Sequence, residues 1–424
     1  MSCISYEEAL SYLRGSYAKG IKAGLEGVRK VLDELDKPQE RLRVVHVAGT
    51  NGKGSTVAFL QNILIAAGIR VGAFTSPHLL RFNERLCVDL LPVSDEDFAK
   101  YLKRVADASA KYDLRMSFFE ILTCMAYIYF AEAGVDVAII ETGIGGRLDA
   151  TNVIEQALLS VITAPGLDHQ ELLGNSPAEI ASEDAGIIKE GCPVAVYPSP
   201  VYDTIAKIAI EKNAPIYYIG KEVETSNLEY KLDGTIFSVK TAYFSHQSLS
   251  IRLLGEHQLQ NALHVLLCVE ALRDQGLSIP DKSIREGLSK TKWPGRFELA
   301  STNPYLILDG AHNEDGADIF NKALKRYFPN KKIILLVGIS DHKDYESILR
   351  HMIPMADKVI CTCASYKAMP AQELSKCIKN LSQAPIQIEE DYKTALQQAK
   401  IQAGPEGVVA AAGSLYLIGD LKSL

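Results

Sequence analysis

The chain has 424 residues, 47% of them hydrophobic, and its 45 lysines and arginines against 52 aspartates and glutamates leave a formal net charge of −7. That length exceeds one ordinary core and predicts two domains, while the acidic balance without a long basic run excludes a phosphate-backbone footprint for nucleic acid. No apolar run is long enough to span a bilayer and MSCISYEEAL lacks the pattern of a signal peptide, so a cytoplasmic protein without a membrane partner is expected, its eight scattered cysteines reduced.

Residues 5–36 carry two amphipathic helical patterns split between Gly15 and Gly24 and closed by Pro38, a helical apron on the first domain. Val44, Val45 and Val47 then read as a short buried strand, and apolar positions recur at helical spacing after Ser55. The run Gly49-Thr50-Asn51-Gly52-Lys53-Gly54 therefore falls where a strand turns into a helix. There the glycine backbone, the positive end of the helix and the Lys53 ammonium all favour a phosphate, and Ser55 or Thr56 is placed to touch a phosphate-bound Mg²⁺. The spelling departs from G-x-x-x-x-G-K-[ST], with Val47 where the first glycine belongs and Gly54 between Lys53 and Ser55.

A strand from Arg70 to Thr75 ends in Ser76-Pro77-His78-Leu79, followed by Arg81, Asn83, Glu84 and Arg85. Polar segments at the carboxyl ends of strands are where open α/β sheets build sites. Ser94 opens one helix and a second runs from about Ser117 to Ala133 into the strand Val135 to Glu141. The loop Glu141-Thr142-Gly143-Ile144-Gly145-Gly146-Arg147-Leu148-Asp149-Ala150-Thr151-Asn152 is too polar and Gly-rich for core, and a carboxylate closing an apolar strand needs a cation or hydrogen bonds. Another strand, Leu158 to Thr163, leads to Asp168-His169, and a Ser-capped helix over 176–188 carries Glu183 and Asp184. Alternation to about residue 220 predicts a doubly wound, mostly parallel sheet, with antiparallel strands over 225–253 on its edge.

Pro294 and Gly295 beside the only Trp mark a boundary, giving a domain over 1–292 and a smaller Rossmann-like α/β domain over 297–424. In the second, strands at Tyr305 to Leu308, Ile333 to Val337, Lys358 to Thr362 and Val408 to Ala411 are expected, with polar ends at Asp309-Gly310-Ala311-His312-Asn313 and Gly413-Ser414. An anionic ligand would find local positive charge at Lys53, Arg81, Arg85, Arg147 and Arg296.

In chain order, HVAGTNGKGS, TSPHL, FFE, ETGIGGRLDATN, LDH, AGIIK, GEHQLQNA, WPGRFE, DGAHN and AAGSLYL resemble the folate branch of the Mur ligase family over nearly the whole chain. The resemblance implies an ATP-dependent amide ligase acting on small molecules: a folate or dihydropteroate carboxylate becomes an acyl phosphate, and the amine of L-glutamate displaces phosphate. It implies Ser55, Ser76, Glu141 and His169 as magnesium ligands and Lys53, Glu141 and His169 as catalytic residues, to which Asp184 is added on the chain's own departure from the family pattern. The loop from Gly49 to Thr56, with Asn261, Arg296, Asp309, His312 and Ser414, would bind ATP between the domains. Ser117, Phe119, Asp149 and Ala150 would bind the pterin, although helical spacing alone makes Phe119 a core residue. Where the family has a carbamylated lysine, this chain has Asp184, expected to supply the negative charge itself rather than face solvent. His342, Lys343 and Asp344 are candidate glutamate contacts, and a monomer is expected. The rival readings are a Mur-type ligase acting on a cell-wall precursor and a P-loop phosphotransferase or NTPase.

Overall fold

Valines and isoleucines in unbroken runs build the strands, as they must when helices cover both faces of a parallel sheet. The structure is a computed structural model that describes residues 4–17, 24–220, 222–341 and 343–424. Eight strands, β1 (Val44–Ala48), β2 (Val71–Phe74), β3 (Leu86–Val88), β4 (Leu91–Pro92), β5 (Val137–Glu141), β6 (Leu159–Ile162), β7 (Val194–Val196) and β8 (Ile216–Tyr217), form one sheet. Their order is β4-β3-β2-β5-β1-β6-β7-β8, and pairing is parallel from β2 through β8. The antiparallel edge is the β3–β4 hairpin.

The expectation that residues 225–253 supply that edge is corrected. Strands β9 (Glu224–Lys231), β10 (Gly234–Lys240) and β11 (Ser245–Ile251) form a separate three-stranded sheet in the order β11-β10-β9. The reason lies in β9, which is exposed along nearly its whole length and has no apolar face to bury against a covered sheet.

The helices Tyr6–Tyr17 and Glu26–Glu34 fulfil the apron: Ala9, Leu13, Val28, Val31 and Leu32 join one core with Phe98, Tyr127 and Phe130. Among the described residues no helix is long and apolar enough to cross a membrane, and every cysteine is free.

A second sheet has the order β12-β13-β17-β14-β15-β16, built from β12 (Glu298–Thr302), β13 (Tyr305–Leu308), β14 (Ile333–Val337), β15 (Lys358–Cys363), β16 (Ile386–Asp391) and β17 (Val408–Ala412). Only the β12–β13 pair is antiparallel. Neither edge strand, β12 nor β16, is anticipated from the sequence, because each is half-exposed and reads polar. Residue contacts divide the chain into one compact unit of residues 1–226, 238–249 and 261–290 and another of residues 227–237, 250–260 and 291–424.

Candidate active site

The Lys53–Ala66 helix begins directly after β1, and Gly52 is its N-cap in the left-handed region, at φ +85. A side chain there would be strained, and its Cβ would stand 2.7 Å from Oδ1 of Asn261, so the loop and the Asn261 amide are in close approach. Asn51 N–H donates to the carbonyl of Ala164 at 2.9 Å and Thr50 Oγ1 to that of Gly166 at 2.9 Å, tying the loop to the chain leaving β6. The Lys53 ammonium donates to the loop's own carbonyls, Gly49 at 2.6 Å and Thr50 at 3.3 Å. Ser55 and Thr56 are buried in the first turn of the helix, and Thr56 Oγ1 has no hydrogen-bond partner.

Parallel pairing sets Val47 opposite Glu141, which brings the carboxylate at the end of β5 beside the strand that opens the phosphate loop. Glu141 is buried, and its Oε2 accepts the Ser76 N–H at 2.9 Å. Asp184, at the end of the Pro177–Asp184 helix, is 1% exposed, which overturns the reading of it as a solvated helix-face residue. Its Oδ2 has no hydrogen-bond partner, and burial pushes its carboxyl up to about 7 against the pull of the Lys53 charge. His169 is exposed, in the left-handed region at φ 51, with Nε2 4.0 Å from the Asp168 carboxylate.

Among the described residues no three His, Cys, Asp or Glu side chains form a ready metal cage. The oxygen chemistry nevertheless fits Mg²⁺, which binds through one or two carboxylates together with substrate phosphates and water. Glu141, Ser55, Ser76 and the orphaned oxygen of Asp184 are such donors.

Beyond Glu141 the glycine loop meets an aromatic wall. Ser117 caps the Phe118–Ala133 helix in a reciprocal box with Glu120. Phe119, two residues on, lies so close to Gly143 that a Cβ there would stand 2.7 Å from its ring, and Phe74 lies 5.7 Å from it between centroids. The ring is half-buried: one part packs against the core, as its helical spacing suggests, and it also lies over the loop at Gly143. Asp149 turns back under the loop, its Oδ2 accepting the N–H groups of Gly143 at 2.9 Å and Ile144 at 3.1 Å. Burial raises its carboxyl above the usual range in spite of these bonds. Ala150 is buried beside it.

In the second sheet's unit, Asp309 at the end of β13 accepts the N–H of Phe297 at 2.6 Å and of Ala311 at 2.7 Å. Burial pushes it up to about 6, with the Arg296 charge opposing. Gly310 lies against Arg296, His312 Nδ1 donates to the Gly310 carbonyl at 2.7 Å, and Ser414 caps the Leu415–Lys422 helix. Arg296, Asp309 and His312 thus meet at one strand end, while Asn261 meets the phosphate loop in the other unit. Of the remaining cations, Arg81 pairs with Asp95, Arg147 with Glu183, and Arg85 is buried between Phe82 and Phe118. Lys343 is half-buried and Asp344 caps the Tyr345–Met352 helix, whereas His342 lies outside the described residues. Sequence reasoning passes over His46, Thr151 and Lys189; the readable signal is a histidine inside the buried strand VVHVA.

Comparison with known proteins adds a second line. Residues 47–269 match the Mur ligase middle domain and residues 295–415 the Mur ligase glutamate ligase domain. The dihydrofolate synthase/folylpolyglutamate synthase of Bacillus subtilis is 36% identical over 99% of this chain and 98% of its own length. The solved Escherichia coli FolC in complex with DHPP and ADP superposes with a TM-score of 0.90 at 30% identity, covering 99% of this chain and 97% of that one. The bifunctional folylpolyglutamate synthase/dihydrofolate synthase of Yersinia pestis complexed with AMPPNP and Mn ion gives a TM-score of 0.87 at 30% identity, covering 99% and 98%.

Proposed function

The chain belongs to the Mur ligase family, in its dihydrofolate synthase/folylpolyglutamate synthase branch, and from that premise we propose an ATP-dependent carbon–nitrogen ligase that joins L-glutamate to folate or dihydropteroate. A substrate carboxylate oxygen attacks the γ-phosphorus of ATP and ADP leaves. The glutamate amine then attacks the acyl carbon, loses its proton, and expels inorganic phosphate. Mg²⁺, when bound, neutralises charge on the phosphoryl oxygens. The observation that carries this reading is the Val47–Glu141 register, because it sets the phosphate loop beside the loop that joins Phe119 and Asp149.

Lys53, the amides from Gly49 to Thr56 and Asn261 are the nucleotide contacts assigned to one unit, and Arg296, Asp309, His312 and Ser414 those assigned to the other. Ser55, Ser76, Glu141 and His169 would be the cation's protein partners. Asp184 would supply negative charge toward a bound Mg²⁺, a role that a buried carboxylate with an idle oxygen and the nearby Lys53 charge supports. Ser117, Phe119, Asp149 and Ala150 receive the pteroyl group, its flat ring against Phe119, while Lys343 and Asp344 receive glutamate. The net charge of −7 supports an enzyme of small molecules without nucleic acid, and the free cysteines among the described residues support a cytoplasmic one; a monomer is proposed with it.

The test is an assay with ATP, Mg²⁺ and labelled glutamate, offering dihydropteroate and tetrahydrofolate separately. Label enters at least one pteroyl product with matched release of ADP and phosphate. ATP hydrolysis that ignores both acceptors would point to an NTPase, and turnover only with a sugar-nucleotide carboxylate to a wall-precursor ligase.

A further inference from the structure

Two side chains used by none of these roles join the strand of the phosphate loop to the loop beneath Phe119. His46 stands in the middle of β1 with no exposed surface, and its Nε2 lies 2.8 Å from Oγ1 of Thr151. That hydroxyl lies 2.5 Å from Oδ1 of Asp149, which also accepts the Thr151 N–H at 3.0 Å. The other carboxylate oxygen takes the Gly143 and Ile144 amides, so all of the roughly four acceptor positions of an ionised carboxylate are filled. Tyr127 secures the turn from the far side by donating to the Thr151 carbonyl at 2.6 Å.

The direction of the chain follows from proton counting. Three backbone N–H groups donate to the Asp149 oxygens, an arrangement that suits the charged acceptor although burial opposes it, so the one proton of the Thr151 hydroxyl goes to Oδ1. Thr151 Oγ1 therefore accepts from His46, which is the neutral Nε2–H tautomer with Nδ1 unpartnered. Burial, aided by the Lys189 charge, pushes the imidazole down to about 3 and keeps it neutral. A polar ring among valines is unfavourable unless its bond is kept, so the strand register holds the hydroxyl in place.

We propose that His46 and Thr151 are positioning residues for the pteroyl substrate, fixing the rotamer of Asp149 and through it the Gly143–Ile144 backbone on which Phe119 lies. The inference rests on the reading of Asp149 and Phe119 as pteroyl contacts. Without the hydroxyl one carboxylate oxygen loses its strongest restraint, and the loop under the ring loses its fixed height.

The experiment compares Thr151→Val, Thr151→Ser and Asp149→Asn in the full chain, reading KM for dihydropteroate and tetrahydrofolate, KM for ATP, and kcat. Thr151→Val raises the pteroyl KM on the order of tenfold, as for a lost hydrogen bond to a charged group, while the ATP KM stays where it was. Thr151→Ser restores it, and in the Asp149→Asn background Thr151→Val adds nothing further. Should Thr151→Val not accumulate as folded protein, His46→Gln, which keeps a side-chain donor, and His46→Leu, which does not, make the same comparison. An unchanged pteroyl KM in Thr151→Val with a raised one in Asp149→Asn overturns the proposal alone. An unchanged pteroyl KM in Asp149→Asn overturns the reading of the pocket, and an equal rise in both KM values reduces Thr151 to a general structural residue.

Discussion

At the scale of single residues, Asp184 shows how a carboxylate can be held ready and at a cost to the fold. Its carboxyl titrates near 3.8 in the unfolded chain and is pushed up to about 7 by burial in the folded one. The unfolded chain therefore gives up its proton first. Each step of pH between those values disfavours folding, and the penalty is complete above about 7. Asp184→Asn removes it: the nucleotide-free variant melts higher than the parent at pH 8 and no higher at pH 3, by calorimetry. The same change lowers kcat by about tenfold or more and alters the Mg²⁺ dependence. A variant with the parent's rate and Mg²⁺ response would end the catalytic role assigned to Asp184.

At the scale of elements, the loop from Gly143 to Asn152 is docked on the turn that follows Asp184. Arg147 N–H donates to the Glu183 carbonyl at 2.8 Å, and its guanidinium clasps the Glu183 carboxylate. The Asn152 amide bridges the carbonyls of Arg147 and Gly186, both at 3.1 Å, while Lys189 donates to its Oδ1 at 2.7 Å. That last bond fixes which way the amide points, since an ammonium can only donate. Asn152→Leu strands two carbonyls and a half-buried ammonium, and should lower unfolding free energy by ~2–4 kcal/mol in urea titrations. It also frees the loop that follows Glu141 from the turn that follows Asp184, so kcat falls further than stability accounts for at temperatures where the variant is fully folded. None of this clamp can be read from the chain, because it joins residues 152 and 189 through strands that become neighbours only in the sheet. The strand ends themselves are legible: Gly49 to Ser55, Glu141 to Asn152 and Asp309 to Asn313 put polar residues and glycine directly after apolar runs, and that pattern is read without any knowledge of tertiary packing. Phe119 is only half legible, since helical spacing reports its packing against the core but not its second contact over Gly143.

At the scale of the molecule, two sheets each present polar strand ends, and among the described residues neither contains a metal cage made by protein alone. Chelation with EDTA should therefore stop ligation while leaving the melting temperature of the nucleotide-free protein unchanged. Added ATP with Mg²⁺ should raise that temperature, and ATP with EDTA should do so by less, as linkage to a weaker ligand requires. A drop on chelation alone would mean a structural ion that the acidic and histidine side chains do not disclose.

The resting position of Lys53 bears on which anions the loop tolerates. Its ammonium already has two carbonyl seats, at Gly49 and Thr50, and an incoming oxyanion must lift it from them. A lone orthophosphate exchanges those bonds for one contact and gains little, whereas a chain of phosphates reaches the helix amides as well and more than recovers the loss. A single phosphate is thus the poorer tenant, and the loop discriminates in favour of the nucleotide's phosphate chain.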